Sequence, residues 1–183
     1  MKATKLETKP TGSSDSHNRM RLIWDPEKCV GCRVCEAVCS FIKEKESNPV
    51  KSRCRIIRSV KDNILYKVRV HCQQCEDAYC KAVCPAKAII EDINGVKSID
   101  EEKCIGCRMC EIACPVGAIT VNPDKHVAIK CDLCKGLDEP QCVKFCYAEA
   151  LQYIDAEKAG AYMARAKSEK MMELHQKGGA ACQ

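Results

Sequence analysis

Cys104-Ile-Gly-Cys107-Arg-Met-Cys110-Glu-Ile-Ala-Cys114-Pro115 decides how this chain folds. Three cysteines stand at i, i+3 and i+6, and a fourth at i+10. A loop can wrap the first three thiols around one face of a compact body. The fourth, displaced onto a following short helix, points away from that body. Three further bursts share the plan: Cys29, Cys32, Cys35, Cys39; then Cys72, Cys75, Cys80, Cys84; then Cys131, Cys134, Cys142, Cys146. Each begins C-x2-C and ends C-x3-C, and only the middle gap varies, so the bursts form an internal repeat.

The rest of the composition agrees with an interior built on cysteine. The chain has 183 residues and 18 cysteines, and only 4% of it is aromatic. Large side chains normally dominate a core, and here something inorganic or covalent must replace them. No run approaches the roughly 18 apolar residues of a membrane span. The first 20 residues are polar and lack a secretory apolar segment, which leads to the expectation of a cytoplasmic protein. Stable disulfides are then the poorer use of cysteine and metal binding the better one. Zinc sites pair two knuckles separated by a dozen or so residues, whereas these thiols crowd in one burst. The run ending in Cys114-Pro115 matches C-x2-C-x2-C-x3-C-P, whose last cysteine serves the other cluster of an iron–sulfur pair. We therefore expect four [4Fe–4S] clusters. Their charge would turn the formal net charge of +5 into about −3, which removes the case for nucleic acid.

Around the bursts the expected fold is α+β. Residues 1–20 read as a polar tail, 21–154 as the cluster domain, and 155–183 as a C-terminal helix and tail. Strands are expected at Leu22–Trp24 and after three of the bursts, at Ala88–Ile90, Ala118–Val121 and Ala150–Tyr153. Turns are expected at Asn94-Gly95 and at Asn122-Pro123-Asp124. Between bursts one and two, residues 55–70 predict a hairpin turning at Asp62-Asn63. Ala159, Tyr162, Met163 and Ala166 share one face of the helix expected from Ala156, with Gly178-Gly179 ending it. That face either packs on its own domain or docks a partner.

Gly31 and Gly106 supply positive φ inside C-x-G-C and bring N–H groups toward sulfur. Arg33/Glu36 and Arg108/Glu111 read as solvated ion pairs, or as charges that tune a cluster. Cys54 reads as a small buried hydrophobe, Cys182 as a mobile thiol, His71 as a packing residue beside Cys72, and Trp24 as a core anchor.

Bursts two and three both end in Cys-Pro and look like one dicluster unit bracketed by bursts one and four. That nested arrangement puts Cys72, Cys75, Cys80 with Cys114, and Cys104, Cys107, Cys110 with Cys84. It also puts Cys29, Cys32, Cys35 with Cys146, and Cys131, Cys134, Cys142 with Cys39. It brings Leu22–Trp24 beside Leu151–Ile154. Pairing in sequential order, one with two and three with four, is the rival.

With Cys72-Gln-Gln-Cys-Glu-Asp-Ala-Tyr-Cys80 and Lys130-Cys-Asp-Leu-Cys134, residues 21–154 resemble the four-cluster ferredoxin-type subunits of molybdenum and tungsten pterin oxidoreductases. Dimethyl sulfoxide reductase, formate dehydrogenase and hydrogenase complexes contain such subunits. Ser47-Asn48-Pro49-Val50-Lys51-Ser52-Arg53 is similar to the small subunits beside tungsten aldehyde oxidoreductases and their benzoyl-coenzyme-A-reductase cousins. The resemblance implies the nested pairing and two ferredoxin-like halves. It also implies a non-catalytic electron-transfer role in a hetero-oligomer, between a large catalytic pterin subunit and a ferredoxin or flavoprotein. Tyr147 stands where the family has proline. The competing expectations are a free-standing polyferredoxin and a zinc-stabilised adaptor.

Overall fold

The computed structural model describes residues 19–179, so the tail up to 18 and Cys182 lie outside the described residues. The described residues form eight strands, β1 to β8, and five helices, α1 to α5. The strands make four separate two-stranded antiparallel sheets.

β1 (Met20–Trp24) pairs with β8 (Leu151–Asp155), Leu22 opposite Tyr153 and Trp24 opposite Leu151. The strand at Leu22–Trp24 thus lies beside the one at Leu151–Ile154, as expected. β1 starts at Met20, inside the stretch expected to be tail. β2 (Cys54–Lys61) and β3 (Ile64–His71) form the expected hairpin, with Asp62 and Asn63 both at positive φ. Two consecutive left-handed residues give the turn whose twist suits flanking strands. β4 (Ile89–Glu91) pairs with β5 (Lys97–Ile99), and β6 (Ile119–Val121) with β7 (Ala128–Lys130), across the two expected turns.

The helices correct one expectation. α1 (Val34–Glu44) carries Cys35 and Cys39, but α2 (Tyr79–Ala82), α3 (Met109–Ile112) and α4 (Gln141–Lys144) are single turns. Each of these holds the third cysteine of its burst, and the last lies just beyond it. Pro85 and Pro115 disfavour helical backbone at the cysteine before them. Burst one has Ser40 in that place. Its hydroxyl donates to the Ala37 carbonyl and accepts from the Asn48 N–H, and the helix runs on to a left-handed cap at Lys45. α4 ends at Phe145 without a proline, so Tyr147 leaves the local helix as short as its counterparts.

α5 (Ala156–Gly179) continues through Gly178 and Gly179. Its first half packs on β1 and β8, and Ala159, Tyr162, Met163 and Ala166 are half-buried there. Met171 and Met172 stand exposed further along. The interior is divided between two small clusters that mix aliphatic side chains with cysteines. One groups Leu22, Leu133 and Leu151 with Cys131 and Cys142; the other groups Ile89, Ile119 and Ala128 with Cys110.

Candidate metal centres

Each burst starts from backbone geometry that the repeat imposes. The residue before the second cysteine is left-handed in all four: Gly31, Gln74, Gly106 and Leu133. So is the third residue after the last cysteine in bursts two, three and four: Lys87, Gly117 and Glu149. These reversals aim N–H groups at sulfur. Ala88 N–H donates to Cys84 Sγ at 3.3 Å, and Ala118 N–H to Cys114 Sγ at 3.3 Å. Gln74 N–H donates to Cys72 Sγ at 3.4 Å, Ala128 N–H to Cys104 Sγ at 3.4 Å, and Arg53 N–H to Cys39 Sγ at 3.4 Å. Such bonds stabilise thiolate and lower the electron density on sulfur. Bursts one and three also share their approach. The carboxylates of Asp25 and Asp100 accept the backbone N–H groups of Glu27 and Glu102, while their carbonyls accept the N–H groups of Cys29 and Cys104.

Two pockets each gather cysteines from two different bursts. One pocket is lined by Cys84, Cys104, Cys107 and Cys110. A second is lined by Cys72, Cys75, Cys80 and Cys114 with Lys97 and Lys130. For the outer pair, α1 packs on α4. Burial pushes the Cys131 thiol up to about 12, and the Cys39 sulfur adds to the rise. Cys134 and Cys142 are raised by burial first, with Cys39 again among their charged neighbours. Tyr147 lies over the remaining group: its hydroxyl is raised by desolvation and then by Cys32, Cys146 and Cys29. Sequential pairing would instead need Cys39 beside Cys72, Cys75 and Cys80.

A cluster fits these residues on several counts. Every cysteine among the described residues is a free thiol. In two places four thiols line one pocket together, the arrangement a cube needs. Buried thiols resist ionisation without a compensating positive charge, and iron supplies that charge. The guanidinium of Arg69, 5% exposed, places Nη2 at 3.3 Å from Cys142 Sγ. Its Nε and Nη1 have no partner among the described residues. Burial works to lower the Arg69 pKa, yet Cys54, Cys142, Cys35 and Cys131 hold it raised overall.

Other residues depart from, or refine, what the sequence led us to expect. Glu36 is not solvated: it is 1% exposed, accepts from Arg33 Nε at 2.7 Å and also accepts the Ile56 N–H. Arg108 is exposed and has no ion pair with Glu111 among the described residues. Arg33 and Arg108 share a left-handed backbone at the start of α1 and α3. Cys54 is buried, with its thiol on the Cys35 carbonyl at 3.6 Å and near Ser52 Oγ. His71 packs through Nε2 on the Leu22 carbonyl at 3.2 Å, and its pKa is pushed down to about 4 by burial and by Arg69. Trp24 packs on the first core cluster. Sequence reasoning missed Arg69, Lys97, Lys130 and Gln74. Gln74 ties the halves together by donating to the Cys131 carbonyl and accepting the Lys97 N–H.

A family model described as "4Fe-4S dicluster domain" matches residues 63–156, and one described as "4Fe-4S binding domain" matches residues 22–41. The chain belongs to the 4Fe–4S dicluster ferredoxin family. Relatives carry the same character. The chain is 36% identical over 161 residues to the electron transport protein HydN of Escherichia coli (strain K12), covering 75% of this chain and 89% of that one. It is 32% identical over 145 residues to the thiosulfate reductase electron transfer subunit PhsB of Salmonella typhi, covering 74% and 76%. It is 32% identical over 171 residues to the polyferredoxin-like subunit of the aliphatic sulfonate oxidoreductase of Pyrococcus furiosus, covering 90% and 96%. This ferredoxin is an iron–sulfur electron-transfer protein of the oxidoreductase-subunit type, and its cofactors are four [4Fe–4S] clusters. No helix among its described residues is long and apolar enough to cross a membrane.

Proposed function

We propose that the protein is the non-catalytic electron-transfer subunit of a hetero-oligomeric oxidoreductase. It relays electrons between a large catalytic subunit of the tungsten- or molybdenum-pterin type and a ferredoxin or flavoprotein. The observation that carries this reading is the match, over nine-tenths of the chain, to a relative named as the polyferredoxin-like subunit of an oxidoreductase. When bound, each [4Fe–4S] cluster takes up and gives back one electron at a time. The chain's own residues hold and shield the clusters. In the assignment we favour, Cys29, Cys32, Cys35 and Cys146 hold one, and Cys39, Cys131, Cys134 and Cys142 a second. Cys72, Cys75, Cys80 and Cys114 hold a third, and Cys84, Cys104, Cys107 and Cys110 a fourth. With all four sites filled by thiolates, no position is left open for a substrate, unlike a catalytic metal centre. The domain spans 21–154, and the far half of the helix in 155–183, with Met171 and Met172 exposed, serves to dock the catalytic subunit. Free thiols among the described residues suit a reducing, cytoplasmic location.

Anaerobic purification at native abundance tests the complex: a larger subunit should co-elute with this chain, and a brown monomer would overturn the subunit reading. Ligand variants test the assignment. Cys114→Ser should perturb the same paramagnetic signal as Cys72→Ser, and Cys84→Ser the same one as Cys104→Ser. Cys114→Ser acting on the signal of Cys104→Ser would reject the exchange.

A further inference from the structure

β3 is inverted in polarity near its end. Val68 is exposed, whereas Arg69 and His71 are buried. Ile56 and Cys54, their cross-strand partners, face the same interior. Arg69 therefore enters the protein between α1, α4 and the hairpin. Its Nη2 reaches Cys142 Sγ at 3.3 Å. On the other side Cys54, on the same buried face, holds the Cys35 carbonyl at 3.6 Å, and Cys54 first and then the Arg69 charge work to lower the Cys35 thiol pKa. Cys142 and Cys35 belong to different outer quartets. Among the described residues no carboxylate pairs with Arg69, and its Nε and Nη1 have no partner. A guanidinium is always charged and presents five donors in a fixed fork. Burying it with only sulfur as a neighbour is costly unless compact anions stand on both sides.

We propose that Arg69 is a positioning residue shared by the two outer clusters, a fixed positive charge that raises the reduction potentials of both. This rests on the four-cluster reading above. Reduction adds negative charge, and a buried cation favours the more negative state. His71 stays beside Arg69 as a hydrogen-bonded neutral group, and the other charges of this region, Lys43, Arg53 and Asp132, pair with one another.

The test is redox titration, followed by electron paramagnetic resonance, of the complete chain carrying Arg69→Gln or Arg69→Lys, with iron counted in each. With four clusters loaded, Arg69→Gln should make reduction of two clusters about tenfold harder, a fall of about 59 mV for one electron. These should be the two that Cys39→Ser and Cys146→Ser perturb. The inner pair should hold its potentials, and Arg69→Lys should shift the outer pair less. Fully loaded Arg69→Gln with four unchanged potentials overturns the proposal and leaves the electron-transfer reading standing. If Arg69→Gln loads incompletely, loss confined to the outer pair and restored in Arg69→Lys supports it. Loss from the inner pair, or loss that lysine does not restore, overturns it. Wild-type chain without iron would instead remove the four-cluster reading beneath it.

Discussion

A methyl group on Gly106 would overlap the His126 carbonyl oxygen, in a backbone at φ +66°. Gly117 has φ +62° but nothing within 4 Å of the same added carbon. Both substitutions incur the left-handed penalty of about 1–2 kcal/mol, so their difference isolates the clash. Gly106→Ala must also displace the turn before β7, which delivers the Ala128 N–H to Cys104 Sγ. In anaerobic thermal melts Gly106→Ala should lower the midpoint well beyond Gly117→Ala, and should shed iron. Equal midpoints would show that the loop yields freely. Gly31 and Gly106 were legible because C-x-G-C announces a reversal; Gly117 lies outside that motif. Gln74 and Leu133 were not, since neither residue favours positive φ by itself; only their alignment within the repeat marks them. Arg69 was legible in principle. The turn at Asp62-Asn63 fixes the register, the register sets Cys54 opposite His71 and Ile56 opposite Arg69, and a buried Cys54 then draws both partners inward.

Glu36 decides how the hairpin is held. Its carboxylate accepts the Ile56 N–H from β2 while α1 presents it from below, so one side chain joins helix to sheet. Glu36→Leu leaves that N–H buried and unpaired, a loss of about 1–3 kcal/mol. Glu36→Gln keeps an acceptor and should lose less. Amide exchange at Ile56 should quicken in the leucine variant ahead of global unfolding; equal protection in the two variants would show that the bond contributes nothing. At this scale the strands and turns were readable, because Asn-Gly and Asp-Asn fix hairpins locally. Helix lengths were not. The expectation that each helix carries its last cysteine holds only for α1, where Ser40 replaces the proline and the backbone can continue.

Across the whole molecule, four small sheets do not share one core. The two buried clusters are themselves part cysteine, so aliphatic packing alone is thin and ligation must supply much of the folding free energy. Chelation under anaerobic, reducing conditions should therefore remove visible absorbance and strand circular dichroism together in one transition. An iron-free chain retaining its strand signal would contradict this. The overall plan, a cysteine-built α+β chain carrying four clusters, was readable because the repeat and the family resemblance agree on it. The position of α5 was not, since its half-polar face suits its own domain or a partner equally.

The pairing of β1 with β8 also imposes an order on biosynthesis. In the proposed assignment, thiols made first wait for a counterpart made last, whereas the middle of the chain is complete earlier. Maturation would then run from the centre outward. The earliest three sulfurs stay open to oxygen and to mismetallation while nearly all the remaining chain is translated, and a polypeptide cut short before Cys146 would keep its central wire and lose a terminal contact.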